Sequence, residues 1–235
     1  MNFTKKLCTY LSFIIIVCIF TGCQSNSVPK VEFPTKTVVQ NTYSDYATFE
    51  FELPEDWISG PEYEMSVIAV SAKEYPDRNL DAIEALPYTV QISGYEEALN
   101  NSDNKEIYDD LFNGEGEKFR ERLQKSVAKS RNTSLENDGS VKGWIDFLIP
   151  DDEENTDSGK EYVTDFKCTH YSGKYGKITE IQYCIDYDGV PYHMVECYRE
   201  DIPYMAAGAI DENLELSSGE VALLTVDSLK VTKNK

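Results

Sequence analysis

The chain has 235 residues, with 42 acidic against 22 basic side chains and a formal net charge of −20. That length accommodates one ordinary domain or two small ones, with enough chain to bury a real core. Such acidity argues against nucleic acid, whose phosphates need Lys and Arg, and against docking on anionic lipid headgroups. It favours solubility and self-repulsion, with a cationic partner or divalent ions as the sharper alternative.

The first segment carries Lys5 and Lys6 ahead of an apolar run, Leu11–Phe20, interrupted only by Ser12. A spanning helix needs ~20 apolar residues, and this run is half that length. Small residues then lead to a cysteine, which is the layout of a secretory signal peptide. Phe20-Thr21-Gly22-Cys23 resembles the lipidation signal of bacterial lipoproteins, with Phe20 where that family usually has Leu. The resemblance implies that residues 1–22 are a signal peptide cut between Gly22 and Cys23. Cys23 then carries diacylglycerol on sulfur and holds the protein at the cell membrane, on the extracytoplasmic side. Each buried methylene of such a lipid contributes about 0.8 kcal/mol, and two chains anchor stably where one does not. Cleavage removes Lys5, Lys6, Cys8 and Cys18 and takes the net charge from −20 to −22. With Cys23 a thioether, three thiols remain, Cys168, Cys184 and Cys197. An odd number permits at most one internal disulfide, so the fold does not depend on such staples.

Residues 23–36 are polar with two prolines and read as a flexible tether, leaving 37–232 as one globular domain. Ala47–Leu53 alternates strictly and predicts a strand, ended by a turn at Pro54-Glu55-Asp56-Trp57. Met65–Ala72 predicts a second strand, Asn79–Leu86 a short helix, and Pro87–Ile92 a third strand. Over 94–131, Ile107, Leu111, Phe112, Phe119, Leu123 and Val127 recur at helical spacing, with Gly114 and Gly116 dividing the pattern into two helices. Lys142–Ile149 predicts a strand, and Pro150–Gly159 an acidic loop.

Tyr162–Tyr171, Ile178–Tyr187 and Val190–Arg199 then predict three strands. Asp188-Gly189 is a two-residue hairpin turn that sets Tyr187 opposite Val190. That register puts Ile181, Tyr183, Ile185 and Tyr187 with Val190, Tyr192, Met194 and Tyr198 on a core face. Glu180, Gln182, Asp186, His193 and Arg199 fall on a face suited to partial exposure. Tyr204–Ile210 predicts a further strand. Ser217-Ser218-Gly219-Glu220 caps a terminal helix over Val221–Leu229. Hairpin-linked strands with segregated helices predict an α+β fold, an antiparallel β-sheet flanked by helices.

Phe49-Glu50-Phe51-Glu52-Leu53-Pro54-Glu55-Asp56-Trp57 resembles the opening of PsbP-like and Mog1-like domains. The Ile178–Tyr187 strand with Asp188-Gly189 and Tyr192 is similar to their later meander, and Asp227-Ser228-Leu229-Lys230-Val231 to their end. The resemblance covers roughly 43–232 and departs from the family in the more elaborate residues 73–140. It implies an α/β/α sandwich, with Pro54 at a turn and Trp57 as a core anchor. It also implies a non-enzymatic domain that binds or stabilises an envelope protein partner, and it carries over no catalytic set.

Cys168, His170, Cys184, His193 and Cys197 invite a zinc hypothesis. The hairpin register sets Cys184 opposite His193 and Cys197 opposite Glu180, pairs roughly 13 Å apart along the strand. With Cys168 also opposite Glu180, it lies ~9.6 Å from Cys197, beyond the Cα separation of about 7 Å that a disulfide allows. No metal site and no cofactor is therefore expected. Neither a Gly-x-Ser-x-Gly nor a His-Glu-x-x-His motif occurs. A carboxylate-based hydrolase is the weakest reading, since 42 acids leave any glycosidase pair unselectable. Asp151-Asp152-Glu153-Glu154-Asn155-Thr156-Asp157 lacks the glycine and terminal Glu of an EF-hand and reads as a solvated loop, with weak calcium binding as its alternative. The 16 tyrosines follow from strand propensity. Any that are exposed would offer a recognition surface for sugar or protein, and a solute- or glycan-binding surface protein is the alternative function.

Overall fold

The computed structural model describes residues 26–42, 45–63, 66–73, 86–100, 102–132, 161–187 and 190–234. Cys23 and its signal, the turn at Asp188-Gly189, the Asn79–Leu86 helix (save Leu86), the Lys142–Ile149 strand and the acidic loop lie outside them. The strands are β1 (Asn26–Ser27), β2 (Thr35–Asn41), β3 (Ala47–Pro54), β4 (Trp57–Tyr63), β5 (Ser66–Ser71), β6 (Thr89–Gly94), β7 (Val163–Ser172), β8 (Lys177–Tyr187), β9 (Val190–Arg199), β10 (Tyr204–Ile210) and β11 (Lys230–Lys233). The helices are α1 (Glu96–Leu99), α2 (Ser102–Asn113), α3 (Glu117–Asn132) and α4 (Ser218–Ser228).

An eight-stranded sheet runs β1-β7-β8-β9-β10-β6-β5-β4, antiparallel throughout except for the β1–β7 pair. A three-stranded sheet, β11-β3-β2, is antiparallel. The fold is α+β with an antiparallel-dominated sheet, as hairpin linkage predicts. β9 pairs with β8 from Tyr187↔Val190 through Cys184↔His193 to Ile178↔Arg199, the register that a two-residue turn dictates.

α2 and α3 pack on one face of the large sheet, over β8 and β7. Their inward residues, Tyr108, Leu111, Phe119, Leu123 and Val127, meet Ile181, Tyr183, Ile185, Met194 and Tyr198. The break between the helices falls at Gly116, whose φ of +71° is a left-handed conformation that glycine adopts without steric cost.

The opposite face corrects an expectation. Glu180 and Arg199 are buried there rather than partly exposed, whereas Gln182 is half-buried and His193 exposed. The cause is α4, which lies against β9 and β10 on one side and β3 on the other. Val221, Ala222, Val226 and Leu229 join Phe49, Phe51, Leu53, Trp57, Val195 and Cys197 in one core. Burial around most of its circumference explains why α4 is apolar and small-residue-rich rather than striped.

The helix begins where its cap predicts. The Glu220 carboxylate accepts from Ser217 N–H at 2.9 Å and from the Ser217 hydroxyl at 3.0 Å. Ser218 Oγ accepts from Ala209 N–H at 2.8 Å and donates to the Leu86 carbonyl at 2.5 Å, riveting the first turn to β10.

Four strands are absent from the sequence expectation: β1, β2, β4 and β11. β4 contains Gly60 and Pro61, which an edge strand tolerates because one row of its backbone groups faces no neighbour. β1 falls within the segment read as a tether. Asn26–Ser27 pair with Tyr171–Ser172 on β7, and Val28 packs on the core.

Close approach of α4 to β10 generates a prediction. A Cβ at Gly208 would meet Ser218 Oγ at 2.6 Å and the Ser218 backbone at 2.7 Å. Gly208→Val is expected to cost about 2–3 kcal/mol, read as a lower urea midpoint. An unchanged midpoint would show that α4 does not seat on β10 in this way.

Candidate functional site

Strand alternation puts Met194, Glu196 and Tyr198 of β9 on the face beneath α2 and α3. Glu196 is therefore a carboxyl inside a hydrophobic core, 2% exposed. Its Oε1 accepts from Tyr183 Oη at 2.5 Å, and its Oε2 from Tyr198 Oη. Burial pushes the carboxyl above its ordinary range, against the lowering effect of the two phenol donors. Burial and the nearby Glu196 carboxyl push both phenols well up as well.

An aromatic cluster surrounds the triad. Tyr95 stacks on Tyr108 at 5.1 Å, and Tyr198 meets Tyr95, Tyr108 and Phe119 edge-on at 5.5–6.0 Å. Tyr95 Oη donates to the Arg199 carbonyl at 2.7 Å, holding β6 to β9 across the intervening β10. Most described tyrosines thus serve the core, while Tyr46 and Tyr175 remain exposed.

The thiols disperse further than the sequence register implies. β7 carries a bulge between Thr164 and Lys167, where Asp165 adopts φ +53°. The shift sets Cys168 opposite Ile181, with Thr169 opposite Glu180. Cys168 consequently joins the α2–α3 face, whereas Cys197 lies in the α4 core. All three thiols are free, and no group of His, Cys, Asp and Glu suited to a metal occurs among the described residues. Burial raises each thiol, Cys168 to about 11, so none is an activated nucleophile.

His170 is equally committed. Its Nε2 lies 2.8 Å from the Gly114 carbonyl, which can only accept, so Nε2 carries the proton. Nδ1 then accepts from Thr179 Oγ1 at 3.0 Å. Among the described residues, the two buried carboxyls, Glu180 and Glu196, occupy opposite faces of the sheet. Such a pair cannot flank one scissile bond.

Arg199 is the third buried ionic group among the described residues. Its guanidinium grips Asp201 with two bonds of 2.5–2.7 Å and donates to the Leu229 carbonyl at 2.6 Å. The Arg199 bonds hold the Asp201 carboxyl below its usual range. A cation at the C-terminal end of α4 also complements the helix dipole.

A separate set of polar side chains is unmatched. Ser66 Oγ on β5, with Ser93 Oγ and Gln91 Nε2 on β6, is buried without a hydrogen-bond partner. Ser66 and Ser93 lie directly opposite one another, on the α2–α3 face. Neither they nor Glu196 is apparent as a site from sequence. The one signal is parity: Glu196 is two residues from both Met194 and Tyr198, and opposite Ile181. No protein-family model matches this chain, and no curated protein or solved structure matches it significantly.

Glu196 generates a pH prediction. Its folded carboxyl is raised, so its contribution to stability is complete below the ordinary carboxylate value and declines as pH rises through the raised value. Glu196→Gln removes that titration. As pH rises from the ordinary carboxylate range through the raised value, the variant is expected to gain stability relative to the wild type. Parallel stability–pH curves in urea would contradict a raised Glu196.

Proposed function

We propose that this chain is a lipid-anchored extracytoplasmic lipoprotein whose domain is a non-enzymatic binding or accessory module for an envelope protein partner. In this reading a lipoprotein peptidase cuts between Gly22 and Cys23, and Cys23 carries the lipid. The observation that carries the binding role is the internal commitment of the ionisable groups that the fold gathers. Glu196 is closed by two phenols, His170 by a carbonyl and a hydroxyl, and Arg199 by Asp201 and the end of α4. Catalysis needs such groups open to a substrate.

The layer order supports a PsbP/Mog1-like domain, with α2–α3 on one face of the sheet and α4 on the other. Trp57 is 1% exposed, as a core anchor should be. The β11-β3-β2 sheet outside α4 is an addition to a simple sandwich. The leash would be short: β1 starts three residues after Cys23, which bounds the intervening chain to about 10 Å. With a mature charge of −22, the lipid would supply the attraction to an anionic bilayer that the protein surface does not.

A solute- or glycan-binding role is the second reading, and the unmatched hydroxyl and amide groups on β5 and β6 favour it. A carboxylate-based hydrolase is the least supported, because the two buried carboxyls among the described residues face opposite ways.

Two measurements test the main reading. Cells fed labelled fatty acid should label the wild-type chain and leave Cys23→Ser unlabelled; label on the variant would remove the anchor. A pull-down from detergent-solubilised membranes should recover one stoichiometric protein partner. Recovery of none, together with saturable glycan binding, would replace the accessory role with the second reading.

A further inference from the structure

β1 is the outermost strand at one edge of the eight-stranded sheet, and Asn26 and Ser27 are exposed there. Cys23 precedes Asn26 by three residues, so the chain between them reaches about 10 Å at most. β4, at the other edge, lies seven strand spacings away, roughly 34 Å. A molecule resting on β4 would hold Asn26 at about three times the reach of that chain.

The two broad faces put a layer in the way as well. On one, α2 and α3 lie over β8 and β7, and a helix with its side chains is about 10–12 Å across. On the other, α4 and then the β11-β3-β2 sheet lie outside the large sheet, two layers of about 10 Å each. With either face down, the large sheet and β1 with it stand at or beyond the limit of the chain. Of the described surfaces, the β1–β7 edge alone brings Asn26 to the outside with no layer beneath it.

Strand direction narrows the surface further. β1 runs parallel to β7, with Asn26 opposite Tyr171 and Ser27 opposite Ser172. The chain therefore reaches Asn26 from the side of His170, away from the turn at Lys174 and Tyr175. On that side Lys167 of β7 is exposed. His170 Nε2 donates to the Gly114 carbonyl at 2.8 Å, which sets the α2–α3 turn, with exposed Asn113 and Glu115, next to the same edge. Lys167 and Glu115 have opposite charges, so this edge offers an anionic bilayer little attraction of its own, and the lipid does the holding.

We propose that the β1–β7 edge, with the α2–α3 turn beside it, is the surface that rests on the lipid headgroups, and that β4 and β2 stand farthest from the membrane. The assignment rests on the reading of Cys23 as the lipid anchor.

The test uses the full-length lipidated protein in phosphatidylcholine–phosphatidylglycerol vesicles that carry a nitroxide quencher on the headgroup. Fluorophores are attached through Lys167→Cys and Glu115→Cys on the contact, and through Ile58→Cys and Val39→Cys beyond it. Each variant also carries Cys168→Ser, so that the half-buried native thiol takes no label. Ile58 and Val39 are 40% and 66% exposed, and Ser59 Oγ donates to Gln40 Oε1 at 3.2 Å, keeping β2 beside β4. The two edge reporters should lose most of their emission, and the two distal ones should keep most of theirs. Equal quenching at all four, or stronger quenching at the distal pair, would overturn the orientation. The mass of the purified chain separates the two ways of failing. Diacylglycerol on Cys23 with the wrong quenching pattern removes the orientation alone; a chain without lipid removes the anchor and the orientation together.

Discussion

The fold depends on one helix being surrounded. α4 fills the space between the large sheet and the β11-β3-β2 sheet, so both sheets owe their inner faces to it. Each end of the helix is fastened by polar groups that would otherwise be costly to bury. Ser217, Ser218 and Glu220 satisfy the start, and Arg199 reaches the carbonyl of Leu229 at the end. Because Arg199 also holds Asp201 and lies 5.5 Å from the Tyr175 ring, the end of α4, the end of β9 and the β7–β8 turn share one anchor. Removing a partner from such a buried charge leaves it uncompensated, so these segments stand or fall together.

The second face follows a different logic. There the aromatic rings of α2, α3, β8 and β9 pack around a single carboxyl, and Glu196 orients Tyr183 and Tyr198. A buried network with its bonds made specifies geometry, and one with bonds unmade is unstable. The contrast lies along one sheet: Glu196 has both oxygens occupied, while Ser93 Oγ, Ser66 Oγ and Gln91 Nε2 are buried without a partner.

Local patterns carried much of this fold. The amphipathic repeat of α2 and α3, the capped start of α4, the alternation of β3 and the β8–β9 register all read directly from residue order. The reading faltered where distant contacts decide. β1 and β11 are short and pair with strands far away in sequence, and β2 and β4 are edge strands, so their own residues carry little period-2 signal. Glu180 and Arg199 read as half-exposed because alternation alone cannot say what covers a face. Cys168 was misplaced by one position, since a bulge at Asp165 changes parity without a glycine to announce it.

Residue order by itself determined the α+β class and the antiparallel pairing, because periodicity and turn chemistry are local properties. The tertiary structure alone decided which buried groups find partners and which do not. Whether a carboxyl, thiol, imidazole or hydroxyl can act depends on neighbours brought in from other strands: the phenols around Glu196, the Gly114 carbonyl on His170, and the absence of any partner for Ser66 and Ser93. Those neighbours are set by three-dimensional packing, which no single stretch of chain encodes.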